Sequence, residues 1–326
     1  MPVIRVLREA DVEIAAGILR DGGLLGLPTE TVYGLAADAE SPSAVARIYF
    51  AKGRPQDHPV IVHIASADKL NEWAREIPEY ALALAQAFWP GPMTLVLKRT
   101  ERAADFITGG QDTVGVRVPQ HPVALAVLNA FGGGIAAPSA NRFGGVSPTS
   151  AMHVVQDLAD RLDDETDAVI DGGESSVGVE STIIDCTSSR PKVLRLGAVT
   201  VADIERVTNL SVEDPDDVIR APGTLASHYS PHATVVLAHT DEEVEHTINE
   251  LVSDRQIGFI ALEKFLTPRG ALRLAMPQNA EEYAANLYSS LWEADRQGLD
   301  YVVALVPQGA DIAAAVRDRL TRAAHA

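Results

Sequence analysis

The sequence predicts an α+β first domain, a mixed twisted sheet with flanking helices. A linker and a small Rossmann-like α/β domain follow it. Three observations carry this. Short apolar strands and amphipathic stretches in the first two thirds do not follow strict βαβ alternation. Residues 208–232 contain three prolines and an acidic cluster with little periodicity, the signature of an interdomain connection. Beyond them strand and helix patterns alternate regularly. The expected boundaries are 1–207, 208–235 and 236–326.

The elements can be read in order. Ile14, Ala15, Ile18 and Leu19 recur at helical spacing, and Gly22-Gly23 stops that helix. Leu24–Leu27 is a short buried strand that Pro28 ends. Ser41 caps the next helix, with Pro42 at its first position and Gly53 at its close. Residues 60–65 read as a strand, 78–89 as a helix stopped by Pro90-Gly91-Pro92, and 93–97 and 113–118 as strands. A helix at 122–131 and strands at 135–136, 168–171, 181–186 and 192–195 finish the first domain. The last domain reads as strand 234–238, helix 241–253, strand 257–261, helix 279–297, strand 301–306 and helix 310–323. No G-x-G-x-x-G occurs there, so nothing points to a dinucleotide.

Composition narrows the function. Of 326 residues, 45 are Asp or Glu and 27 are Lys or Arg, a formal charge of −18. Such a chain is poorly suited to wrapping nucleic acid with its bulk surface, since phosphate contacts need basic groups. One cysteine, Cys186, excludes an intrachain disulfide framework and Cys-rich metal sites. No apolar run reaches the ~18 residues of a membrane span. The first residues lack a secretory pattern, and the expected location is cytoplasmic.

Familiar catalytic motifs fail. Gly173 and Gly178 have Walker A spacing, but Val179-Glu180 stand where Lys and Ser/Thr belong. His228 and His232 are four apart, with Pro231 against a helical metal pair. What remains is a set of polar groups just after short apolar strands: Thr29 and Thr31, Lys52 and Arg54, His58 and His63, Thr94, Thr113 and Arg117, Ser139, and Ser181. Each has an ordinary structural explanation: a turn, a helix C-terminus, a satisfied core histidine. Together they suit phosphates and a small zwitterion, because hydroxyls and N–H groups cradle phosphate oxygens and an Arg fork grips a carboxylate.

These residues lie in blocks that resemble the YrdC-like family: P-T-E-T-V-Y-G-L (28–35), K-G-R-P (52–55), H-P-V-I-V-H (58–63), W-P-G-P-M-T (89–94), V-R-V-P (116–119), A-P-S-A-N (137–141) and G-V-E-S-T-I (178–183). They come in family order over about residues 10–205. The remainder, with H-Y-S-P at 228–231, resembles the linker and extra domain of the family's two-domain members. The resemblance implies the YrdC-like α/β fold and the synthesis of L-threonylcarbamoyladenylate and pyrophosphate from L-threonine, bicarbonate or CO2, and ATP. It implies a nucleotidyltransferase that uses Mg2+ with ATP, without a dedicated protein metal site, and that supplies a downstream tRNA threonylcarbamoyl transferase.

Position by position, the resemblance places Thr31, His63, Arg117, Ala137 and Ser181 around threonine, with Arg117 on its carboxylate. Arg54, His58, Thr113, Ser139, Ser147, Arg195 and Tyr229 would contact the nucleotide. Lys52 and Arg54 would be catalytic, by neutralising phosphate. The linker, with Ser227-His228-Tyr229-Ser230, would fold back as a lid. The carbamoyl transferase of hydrogenase maturation contains a similar domain, but its zinc fingers need cysteines this chain lacks. A non-catalytic RNA-binding module of the same fold is the alternative from another class; the −18 charge weighs against it, and direct tRNA contact is expected to be weak or absent.

Overall fold

Local signals start and stop the helices. Ser41 accepts a hydrogen bond from the Ala44 amide, Pro42 opens the helix Pro42–Lys52, and Gly53 closes it in the left-handed region at φ 62°. That conformation costs glycine no Cβ clash. A computed structural model describes residues 4–215, 219–223, 228–251 and 255–325. Ser227 and parts of the expected linker lie outside the described residues.

The chain divides into two units. One comprises Met1–Phe143, Pro148–Ser175 and Glu180–Thr224; the other comprises Gly144–Ser147, Ser176–Val179 and Leu225–Ala326. The first unit holds eleven strands among the described residues: β1 (Arg5–Leu7), β2 (Leu25–Leu27), β3 (Gly34–Asp38), β4 (Val62–His63), β5 (Ala74–Arg75), β6 (Met93–Arg99), β7 (Thr113–Arg117), β8 (Ile135–Ala136), β9 (Ala168–Ile170), β10 (Thr182–Asp185) and β11 (Lys192–Arg195). Their order is β1-β9-β2-β3-β8-β4-β7-β6-β10-β11, with β5 on β6. Pairs β1–β9, β9–β2, β4–β7 and β6–β10 are parallel, and the rest are antiparallel. This is the mixed sheet expected from the irregular alternation.

The larger core lies on one face of this sheet. It takes Leu35, Val62, Leu95, Leu97, Val114, Val116 and Ile184 from the strands, covered by apolar faces of the helices Pro42–Lys52, Glu79–Phe88 and Ala151–Leu158. A second core uses alternate residues such as Leu25, Ala36 and Ile135 against the helices Val12–Arg20 and Pro122–Phe131. Strand residues point alternately to the two faces. So His63, Thr94, Val96, Thr113, Gly115 and Arg117 face away from the larger core, on strands these two helices do not cover, and Ile61 just before β4 lies on the same side.

In the second unit, β12 (Thr234–Ala238), β13 (Ile257–Ile260), β14 (Ala271–Ala275) and β15 (Tyr301–Leu305) form a fully parallel sheet in the order β12-β15-β13-β14. The Rossmann-like character holds, but β14 was not anticipated. It follows β13 without an intervening helix, and its residues carry no strong alternation: Leu272 is exposed and its neighbours are only partly buried.

Other elements also differ from expectation, among them β1, β5 and the helix Ala151–Leu158, which the sequence reading does not contain. β3 is built from Gly-Leu-Ala-Ala-Asp, residues of weak strand propensity, and only tertiary pairing makes it a strand. The helix Val201–Thr208 carries a full capping box between Thr200 and Asp203. The predicted strand at 60–65 shrinks to Val62–His63; Val60 instead donates to the Ile107 carbonyl at 2.9 Å.

Gly134 approaches the Trp73 indole, which is 1% exposed, so closely that an added Cβ would overlap the ring and lie 2.9 Å from Val62 Cγ1. Gly134→Ala is expected to cost ~1–3 kcal/mol through overpacking, read as a lower urea midpoint. An unchanged midpoint would show that the indole yields freely.

Candidate active site

Register places the polar groups side by side. His63 on β4 pairs with Arg117 on β7, and β6 and β10 continue the row with Thr94 opposite Ile183. Arg117 is 4% exposed. Its Nη2 donates to Glu30 Oε1 at 2.6 Å, its Nη1 to Thr31 Oγ1 at 2.9 Å, and its Nε to the Gly91 carbonyl at 3.2 Å. Glu30 Oε2 accepts from the Gln120 amide at 3.0 Å. Thr29 organises the loop: its Oγ1 donates to the Val32 carbonyl at 2.6 Å and lies 2.9 Å from Thr31 Oγ1.

His63 is buried, and its Nδ1 has no hydrogen-bond partner. Burial first, and the neighbouring Arg117 charge second, bring its pKa down to about 3, so the ring is neutral at physiological pH. Ala137 borders this group on the strand side, with its amide on the Ile61 carbonyl at 3.1 Å.

A second group surrounds Ser181, whose Oγ lies 2.8 Å from Thr94 Oγ1. Arg195 clamps Ser181, with Nε and Nη2 on its carbonyl at 3.1 and 3.0 Å and Nη2 on its Oγ at 3.1 Å. Arg195 Nη1 also donates to the Pro222 carbonyl at 3.0 Å. Residues 219–223 of the expected linker therefore lie on the first unit. Ala221 joins Ile61, Val96 and Ile183 in an apolar cluster, and the Gln111 amide exchanges two hydrogen bonds with the Arg220 backbone at 2.7 and 3.1 Å. Thr113, partly buried, lines a small cavity beneath this segment.

The third group is basic. Lys52 Nζ, 3% exposed, donates to the carbonyls of Ser139, at 2.6 Å, and Asn141. Burial and then the Arg54 charge bring its pKa down to about 7. Arg54 donates to the Pro59 carbonyl at 2.9 Å and lies 5.8 Å from the Phe143 ring, against which His58 packs edge-on. Lys52 thus ties the loop bearing Ser139 to the helix ahead of Arg54.

Ser147 and Tyr229 belong to the second unit. The Ser147 carbonyl accepts from Trp292 Nε1 at 3.2 Å. Tyr229, 1% exposed and at φ 66°, stacks on Tyr288 with Arg319 5.2 Å from its ring. Glu30, which accepts from Arg117 and the Gln120 amide, is not among the site residues expected from the sequence, although it stands in the first motif block between the two threonines. A carboxylate among buried hydroxyls was the available signal.

Residues 17–197 match a family profile described as "Telomere recombination", covering Sua5, YciO and YrdC, and residues 199–325 match "Threonylcarbamoyl-AMP synthase, C-terminal domain". The chain belongs to the Sua5/YrdC family. It is 41% identical to the threonylcarbamoyl-AMP synthase of Pyrococcus abyssi, over 97% of this chain and 95% of that protein. It is 36% identical to that of Bacillus subtilis, over 95% and 92%. The crystal structure of P. abyssi Sua5 complexed with L-threonine is similar at a TM-score of 0.88 and 40% identity, over 99% of this chain and 98% of that one. These matches bear out the resemblance carried by the motif blocks, across both parts of this Sua5/YrdC chain.

The depressed His63 pKa has a stability consequence. The unfolded chain binds this proton below pH 6.5 and the folded chain only near pH 3. His63 therefore makes stability fall by ~1.4 kcal/mol per pH unit as pH drops through that window. His63→Gln is expected to flatten the acid limb of stability against pH. In the unaltered chain the His63 ring signals should not titrate between about pH 5 and 8; a titration midpoint in that interval would contradict the neutral assignment.

Proposed function

We propose that this chain is a threonylcarbamoyl-AMP synthase. It joins L-threonine, bicarbonate or CO2, and ATP into L-threonylcarbamoyladenylate and releases pyrophosphate, a nucleotidyl transfer that supplies tRNA modification. The observation that carries the reading is the buried row of His63 and Arg117 beside Thr31, in a chain of this family.

Three nitrogens of Arg117 each donate one hydrogen bond within the protein, and each terminal nitrogen has a second N–H. Two parallel N–H groups are what a carboxylate fork requires. Neutral His63 does not repel the threonine ammonium, and its open ring nitrogen offers hydrogen bonding to the amino group. Ala137 and Ser181 complete the threonine site.

The reaction needs the amine neutral. The bound ammonium gives up a proton to solvent or bicarbonate; its nitrogen then adds to CO2 and loses a second proton in the same way, giving a carbamate. A carbamate oxygen then attacks the α-phosphorus, and the bond to pyrophosphate breaks. Lys52 and Arg54 stabilise the developing phosphate charge, and a bound phosphate favours the charged form of Lys52. His58, Thr113, Ser139 and Arg195 are the nucleotide contacts of the first unit. Mg2+ would enter with ATP and would offset the charge of its phosphates. Among the described residues no group of three or more His, Cys, Asp or Glu is placed to hold a metal, and no helix is long and apolar enough to cross a membrane. We assign the product to a downstream tRNA threonylcarbamoyl transferase in the cytoplasm. The segment 219–223 is part of a lid that shields the adenylate from water.

The test is pyrophosphate release from ATP in bicarbonate buffer with single amino acids. Threonine is expected to exceed serine by roughly 10–200-fold, the worth of one methyl; equal rates would remove threonine as the substrate. Arg117→Ala is expected to lower kcat/KM by about 30- to several-thousand-fold, with poor rescue by Lys. A folded Arg117→Ala protein with unchanged threonine affinity would return Arg117 to a purely structural part.

A further inference from the structure

The contact that the proposed reaction leaves unused is Glu30. Its carboxylate is 4% exposed and takes one oxygen to Arg117 at 2.6 Å and the other to the Gln120 amide at 3.0 Å. It is not poised in solvent, and it does not span to a surface base. It sits against the one guanidinium assigned to hold the substrate carboxylate, so that guanidinium is already electrically balanced before any ligand arrives.

A buried charge without a partner is expensive. A bare carboxylate arriving at a neutral Arg117–Glu30 pair adds a negative charge that the pair itself does not compensate. A zwitterion does not, because it brings its own ammonium. His63 cannot offset the difference, since it stays neutral. We infer that Glu30 is a specificity-determining residue: by neutralising Arg117 it makes the pocket select α-amino acid zwitterions over plain carboxylates of the same shape. This rests on the reading of Arg117 as the threonine carboxylate site.

The pairing also orients. Glu30 and Thr31 are adjacent and engage opposite terminal nitrogens of the guanidinium, while the Gly91 carbonyl holds Nε. The plane of the fork is thereby set by two segments of the first unit, the loop after β2 and the turn before β6. Gln at position 30 could accept from one N–H but would turn its own NH2 toward the other donor.

The experiment is calorimetric titration of the full chain with L-threonine and with 3-hydroxybutanoate, which is threonine without its amino group. The unaltered protein is expected to prefer threonine by about a hundredfold or more, the scale of an uncompensated buried charge. Glu30→Gln is expected to weaken threonine by roughly tenfold and to tighten 3-hydroxybutanoate, because Arg117 is then an unbalanced cation. Glu30→Asp keeps the charge and is expected to keep the preference, even with weaker binding of both ligands. The inference is overturned if Glu30→Gln weakens both ligands alike, as a loss of packing would. It is equally overturned if the unaltered protein binds 3-hydroxybutanoate within about tenfold of threonine, an outcome that needs no variant to fold. Failure of the unaltered protein to bind threonine or release pyrophosphate would instead sink the functional reading beneath it.

Discussion

A guanidinium buried at 4% exposure must have its charge and its donors met, and that requirement organises the first unit. Arg117 at the end of β7 draws in the Glu30 carboxylate, the Thr31 hydroxyl and the Gly91 carbonyl. Those groups come from the loop after β2 and the turn before β6, which are far apart in sequence. Removing any one strands buried polar atoms without a partner. The loop's own Thr29–Thr31–Val32 hydrogen bonds then hold the acceptors where the arginine needs them.

The mixed sheet makes this arrangement possible. The alternation of β4, β6 and β7 sends Val62, Leu95, Leu97, Val114 and Val116 into the larger core. The intervening residues therefore face the other way, and the helices Val12–Arg20 and Pro122–Phe131 cover only the strands on the β2–β8 side. Polar side chains on β4 and β7 are thus held on rigid elements, the condition a binding site for a small zwitterion needs. Ile61, Val96 and Ile183 on the same face are sealed by Ala221 instead of a helix.

Much of the fold was legible in sequence because its signals are local. Ser41, Pro42 and Gly53 announce a helix by capping chemistry alone, and Pro90-Gly91-Pro92 announces a stop. The parallel character of the second unit followed from its regular alternation. The capping box at Thr200 and Asp203 was equally local and readable, yet its helix was missed because the apolar face is narrow, with Ile204 its one buried residue. β3 and β14 were not readable in the same way. Small or half-buried residues there become strands only because a partner strand meets their backbone groups.

The sequence by itself determined which side chains are available for chemistry: two basic groups after a helix, a histidine and an arginine on strands, and hydroxyls at strand ends, in an order shared with a known family. It could do so because residue type and spacing are properties of the chain alone. Tertiary structure decided how they combine. It put His63 beside Arg117 through strand register, depressed the pKa of His63 and Lys52 through burial, and turned Glu30 from one letter of a motif into the counter-charge of Arg117. Charge balance and desolvation depend on distances between residues far apart in the chain, and those exist only once the sheet has formed.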